Sequence, residues 1–156
     1  MELFLVRHAI AVPSSPDFPD PARPLTPDGR KKFEGVVRGL DRLDVRFDRL
    51  YHSPWTRAVE TANLLTELLD GESVVEQGLA RAPDGELIGR FEGERAAAVG
   101  HEPWMSELMA LLIGGARTLA ANVEFKKGGV AWLEGEPRQK GMKLRAFLPP
   151  RLLRRL

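Results

Sequence analysis

The chain has 156 residues, room for one domain of ordinary size, and such a length buries roughly 70% of its unfolded surface without staples. Hydrophobic residues make up 43% and charged residues 29%, which excludes a disordered tail and a collagen-like repeat. Lys and Arg (23) against Asp and Glu (22) leave a net charge of +1, which argues against coating nucleic acid or a membrane; the absence of cysteine excludes a disulfide framework, cysteine-ligated zinc and a thiolate nucleophile.

Leu3 to Val6 is a short apolar β-prone run that breaks at Arg7-His8, and it reads as a buried strand ending there. No basic leader precedes it, and the longest later apolar run, Leu108 to Ile113, is too short to cross a bilayer, so a cytoplasmic protein is expected. Five prolines between Pro13 and Pro24 forbid a helix or central strand and predict an extended loop, long enough to suggest a function. Thr26-Pro27-Asp28 marks a helix start, with Thr26 as cap, and the helix should run to about Leu43. Arg46 to His52 reads as a second strand. Ser53-Pro54 repeats the cap-then-proline signal, and the spacing of Val59, Ala62, Leu65, Leu68 and Leu69 predicts a helix up to Gly71. A third strand is expected over Ser73 to Glu76, and a short helix around Glu86 to Arg90. The fourth strand, Arg95 to Val99, stops at Gly100-His101 before a helix from Pro103 to Ile113. Val123 to Phe125, Gly129 to Glu134 and Lys143 to Leu148 suggest further strands, and Arg151 to Leu156 a last basic turn. The alternation predicts one α/β domain over residues 1–156, three-layer α/β/α with a largely parallel central sheet.

Reactive residues fall at the strand ends. Arg7 and His8 close the first strand, Ser53 and Arg57 follow the second, and His101 closes the fourth. Carboxyl ends of parallel strands line the ligand crevice of such sheets, and helix N-termini gathered there suit phosphate. Two imidazoles and two guanidiniums without carboxylates suit an oxyanion better than a metal, so neither a metal nor another cofactor is expected. His52 should be turned away by strand alternation and is read as structural. Ser53 looks like a nucleophile but is read as the cap of the helix carrying Arg57. Trp55 and Trp104 fit either packing or a pocket wall. Lys126-Lys127 and the terminal arginines read as solvated charges, with substrate steering as the lesser reading.

The segments LVRHAIA (Leu5–Ala11), RPLTPDG (Arg23–Gly29), SPWTRAVETA (Ser53–Ala62) and VGHEP (Val99–Pro103) resemble, in order and spacing, the blocks of the histidine phosphatase (phosphoglycerate mutase-like) superfamily. Ala9 stands where glycine is commonest. The chain's short length, VGHEP, FKKGGVAWLE and LPPRLL look most like the SixA-type phosphohistidine phosphatases. The resemblance implies the phosphoglycerate mutase-like fold and a metal-independent phosphatase. His8 would be its nucleophile, Arg7 and Arg57 would hold the phosphoryl oxygens, and His101 would be a further phosphate contact. Arg23 fits a phosphate contact and an ordinary ion pair equally. The residues agree with the nucleophile: a free histidine titrates near about 6.5, and flanking arginines disfavour its protonation.

In the wider family a carboxylic acid after the third strand protonates the leaving oxygen. Here GLARAPDGE (Gly78–Glu86) puts Arg81 or Ala82 nearest that position, with Asp84 and Glu86 close by. A site without a strong acid suits N–P bonds, because a phosphorylated imidazole departs as neutral imidazole. A phosphohistidine-bearing protein is therefore the expected substrate. A phosphatase for small phosphorylated metabolites or nucleotides is the other enzymatic reading, and a catalytically idle phosphate-binding module the non-enzymatic one.

Overall fold

Leu3, Phe4, Leu5 and Val6 are fully buried, and this strand sits inside the sheet of the computed structural model, which describes all 156 residues. Strand β1 (Glu2–Arg7) is followed by helix α1 (Pro27–Arg42), β2 (Phe47–His52), α2 (Thr56–Leu65) and β3 (Leu69–Val75). A short α3 (Gly85–Gly89), β4 (Arg95–Gly100), α4 (Trp104–Gly114), β5 (Val130–Gly135), β6 (Met142–Leu148) and a one-turn α5 (Pro150–Leu153) complete the chain. The six strands form one sheet in the order β3-β2-β4-β1-β5-β6. β5 alone runs against its neighbours, so the sheet is largely parallel as expected.

Strand alternation builds two cores. Phe4, Val6, Ala97 and Val99 face α1 and α2, whereas Leu3, Leu5, Ala96 and Ala98 face α3 and α4. Fully burying a Leu, Val or Phe side chain contributes about 1.5–3 kcal/mol, so β1 alone anchors both layers. The no-more-than-methyl side chains of Ala96 to Ala98 let both layers settle onto the middle of the sheet.

Helix α1 starts as its sequence dictates: Thr26 Oγ1 accepts the Gly29 N–H at 2.9 Å and Pro27 takes the first helical position. Its face carries Gly39 for a steric reason. An ideal Cβ there would lie 2.1 Å from the Leu153 carbonyl oxygen. In a free helix Gly→Ala gains about 1 kcal/mol. Here the backbone clash reverses the sign, and Gly39→Ala is expected to lower the urea midpoint; an unchanged or higher midpoint would show that α5 yields freely.

Two expectations need correction. Helix α2 ends at Leu65, not near Gly71: a 3-10 turn, Thr66–Leu68, follows, and Leu69 already pairs with Phe47 in the sheet. Leu65 and Leu68 are buried as the apolar spacing required, but a tight turn satisfies that spacing as well as a helix does. Gly71 is no helix stop; it is a strand residue whose Cβ would meet the Asp48 carbonyl oxygen at 2.0 Å. Val123 to Phe125 is not a strand, and a 3-10 segment, Arg117–Asn122, precedes it. Phe125 buries its ring while its carbonyl accepts from Arg7. The proline-rich loop is extended as read, apart from one 3-10 turn at Asp20–Ala22. No helix is long and apolar enough to cross a membrane.

Candidate active site

The carboxyl ends of β1, β2 and β4 open onto a cavity of about 370 Å³ lined by Arg7, His8, Asp20, Arg23, Trp55, Arg57, His101, Glu102, Trp104 and Lys127. Of the five residues named at the strand ends, Arg7, His8, Arg57 and His101 line it and Ser53 does not; Arg23 lines it as well.

His8 is 4% exposed, and its orientation is fixed by the chain that follows it. Its Nδ1–H donates to the Ala9 carbonyl at 2.7 Å, so Nε2 is left without a hydrogen and accepts from Arg57 Nε–H at 3.2 Å. The Ala9 amide donates to Thr61 Oγ1 at 3.0 Å, and the Thr61 hydroxyl donates to the Arg57 carbonyl at 2.7 Å. One side chain of α2 thus ties the segment carrying His8 to the turn carrying Arg57. Burial, with Arg57, Arg7 and His101 close by, pushes the His8 pKa down to about 2. His101 is pushed down to about 3, chiefly by burial and then by Arg57. Both imidazoles are neutral at pH 7. Their ring centroids are 5.2 Å apart.

The guanidiniums are positioned by backbone carbonyls. Arg7 Nη1 donates to the Phe125 carbonyl at 2.6 Å. Arg57, 3% exposed, donates from Nη1 to the Asp20 carbonyl at 2.6 Å. Arg23 pairs with Asp20 at 2.8 Å and also lines the cavity. Five buried side-chain nitrogens and oxygens in the chain lack a hydrogen-bond partner; three of them, Arg7 Nε, Arg23 Nε and His101 Nδ1, belong to cavity residues. Each such group costs about 1–3 kcal/mol.

Ser53 is not the cap of α2, whose N-cap is Trp55 with no side-chain cap bond. Its Oγ instead accepts the Trp55 amide at 3.2 Å and lies 2.7 Å from His101 Nε2. His52 is outside the cavity, and its Nδ1 donates to the Ser53 carbonyl at 3.0 Å. Trp55 and Trp104 form the aromatic wall, with ring centroids 4.6 Å and 6.2 Å from that of His101. The Arg57 guanidinium lies over Trp55 at 4.8 Å.

Asp84 and Glu86 do not reach the cavity. Asp84 caps α3 by accepting the Leu87 amide, and Glu86 pairs with Arg90 one turn on. Arg81 faces Asp84 at 3.8 Å. The carboxylates that do line the cavity, Asp20 and Glu102, were not singled out from the sequence. Asp20 holds Arg23 and Arg57, and Glu102 engages the Ser106 amide and hydroxyl at 3.0 and 2.7 Å. Lys127 also faces the cavity, so the lesser reading, steering, fits it; Lys126 pairs with Glu124. Burial and the neighbouring Arg7, Arg23 and Arg57 lower the Lys127 pKa.

The depressed imidazoles have a sign-defined consequence. Unfolded histidines take up a proton near about pH 6.5, whereas folded His8 and His101 do so only near 2 and 3. Their contribution to stability is therefore complete above pH 6.5 and lost as pH falls towards 3, by about 1 kcal/mol per pH unit for each ring between pH 6 and 4. Urea midpoints should fall between pH 7 and 5, and less steeply in a His8→Gln/His101→Asn protein. Parallel slopes would place those pKa values elsewhere.

A layered α/β chain that collects two neutral imidazoles, three guanidiniums and an ammonium at the carboxyl edge of its sheet is of the phosphate-handling class. The chain belongs to the histidine phosphatase superfamily (branch 1), whose model matches residues 3–81. It is 32% identical over 141 residues to an uncharacterised protein of Picosynechococcus, covering 85% of this chain and 84% of that one. It is 36% identical over 99 residues to the mitochondrial serine/threonine-protein phosphatase PGAM5 of Mus musculus, covering 64% of this chain but only 31% of PGAM5. In fold it is similar to the protein histidine phosphatase SixA in complex with tungstate, with a TM-score of 0.83 at 21% identity over 98% of this chain and 99% of SixA.

Proposed function

We propose that the chain is a metal-independent phosphatase that removes the phosphoryl group from phosphohistidine in proteins by way of a phosphohistidine on His8. The observation that carries this reading is the hydrogen-bonded tautomer of His8: with Nδ1–H on the Ala9 carbonyl, Nε2 keeps the lone pair that attacks once a phosphoryl oxygen takes over the Arg57 Nε–H. Nε2 attacks phosphorus as the bond from phosphorus to the substrate nitrogen breaks. The substrate ring, protonated on its other nitrogen, leaves as neutral imidazole. Water then attacks the phosphorus on His8, the P–N bond breaks, and the water proton passes to the departing phosphate. Neutral His8 is regenerated. Arg7 and Arg57 donate to the equatorial oxygens in both steps. The Ser53 hydroxyl donates a hydrogen bond to His101 Nε2, so the ring hydrogen of neutral His101 sits on Nδ1 as a further donor.

The similarity to SixA supports a phosphohistidine substrate, and so does the state of the cavity carboxylates. Asp20 and Glu102 are both held as acceptors by Arg23, Arg57 and Ser106, an arrangement of little use to an alkoxide leaving group. One observation favours hydrolysis of a phosphate ester as a second reading: Glu102 does line the cavity, and a Glu102 released from Ser106 could protonate an ester oxygen. A single assay separates them. With EDTA present, a phosphohistidine peptide should be hydrolysed at least about 10²-fold faster than the matching phosphoserine peptide. Equal rates, or loss of both to EDTA, would overturn the first reading.

A further inference from the structure

The reversal of β5 governs what surrounds the catalytic cavity. Val130 at its start pairs with Val6 and with Leu148, so the segments entering β5 and leaving β6 both emerge at the carboxyl edge of β1. Between them lies a groove of about 800 Å³, more than twice the volume of the catalytic cavity and sharing Arg7 and Lys127 with it. Its other cations are Lys32, Lys126, Arg151 and Arg154, against the single carboxylate of Glu124.

In a chain with a net charge of only +1, that concentration is local. Lys126 is neutralised by Glu124 and Lys32 is paired with Asp28, but Lys127, Arg151 and Arg154 enter no ion pair. Crowded cations repel one another, and an arriving row of carboxylates removes that repulsion. The rest of the lining is aliphatic: Ile10, Pro149 and Pro150. Its one aromatic ring, Phe125, is 1% exposed, so the groove offers no face on which bases could stack. Charge and apolar relief together suit side chains rather than nucleotides.

We infer that this groove is the docking track for an acidic stretch of polypeptide flanking the phosphorylated residue of a protein substrate. The inference rests on the phosphoprotein reading of the catalytic cavity and adds to it the sequence character of the substrate. Arg7 and Lys127 face both spaces, so the phosphoryl group and its neighbouring carboxylates are held at once.

The test compares three phosphohistidine decapeptides, with acidic, neutral and basic flanks, on the wild-type protein and on a Lys32→Glu/Arg151→Glu variant. The acidic peptide should have a kcat/KM about tenfold or more above the neutral one at low salt, an advantage that shrinks as salt is added. The double variant should lose that advantage while hydrolysing p-nitrophenyl phosphate at the wild-type rate, with only a small drop in melting temperature because Lys32→Glu sets like charge beside Asp28. Equal treatment of the three peptides, or the same loss on p-nitrophenyl phosphate, overturns the inference. Fluorescence anisotropy with a labelled, unphosphorylated acidic decapeptide decides the groove without any turnover: the variant should bind it about tenfold more weakly. Unaltered binding overturns the inference, as does tighter binding of a single-stranded DNA 12-mer than of the peptide. A wild-type protein that binds the acidic peptide but cleaves no phosphohistidine leaves the groove standing and removes the proposed reaction.

Discussion

His8→Ala is expected to lower turnover by about 10⁴-fold or more, because it removes the atom proposed to receive the phosphoryl group, and the remaining guanidiniums can only bind. Wild-type protein quenched in acid-free denaturant after mixing with ³²P-labelled substrate should carry the label, and His8→Ala should carry none. The substitution takes out an imidazole that is 4% exposed and held neutral, so the fold should persist, with a smaller loss of stability on acidification. Label retained on His8→Ala would move the nucleophile to another residue, His101 being the nearest imidazole. An inactive wild-type protein that still binds phosphate would instead make the chain an idle binding module.

Arg57→Ala should lower kcat by about 10²-fold or more, the effect of removing one donor aimed at developing charge. The structure sharpens this expectation. Arg57 Nε–H sits 3.2 Å from His8 Nε2, the atom the phosphorus must approach, and Nη1 is tied to the Asp20 carbonyl. A phosphoryl oxygen can take over the Nε–H while the other end of the fork stays held. Lysine has one charged point in place of this planar fork, so Arg57→Lys should rescue little. A raised KM at full kcat in Arg57→Ala would make Arg57 a binding group without a role in the transition state.

Local patterns in the sequence carried the strand ends and the motifs at them, because Leu3 to Val6, the Thr26-Pro27 start and the Gly100-His101 stop each act over a few residues. Relations between distant residues were out of reach. Asp20 holds Arg57 across 37 positions, and the Phe125 carbonyl holds Arg7 across 118. Neither partner carries a mark of its own: Asp20 is one acid among prolines, and Phe125 contributes only its backbone. Thr61 and Glu102 stood inside the quoted blocks, yet their roles depend on the Ala9 amide and on Ser106, which the fold brings to them. Asp84 and Glu86 could have been set aside earlier. An aspartate three residues before Leu87 is a cap signature, and Glu86 with Arg90 is an i,i+4 pair, so both were already spent locally. The end of α2 is not legible in the sequence, because periodicity cannot separate a helix from a tight turn that runs into a strand.

The one strand that runs against the others divides labour along the chain. The side chains proposed for the chemistry, Arg7, His8, Arg57 and His101, all lie within the first 101 residues, although the Phe125 carbonyl holds Arg7, whereas most of the basic rim comes from residues 126–127 and 151–154, beyond the residues 3–81 that the family model matches. The proposed chemistry and the proposed choice of client thus draw on largely separate stretches of polypeptide. Selection can rework the tail to suit a new clientele, and the reaction centre need not be rebuilt each time.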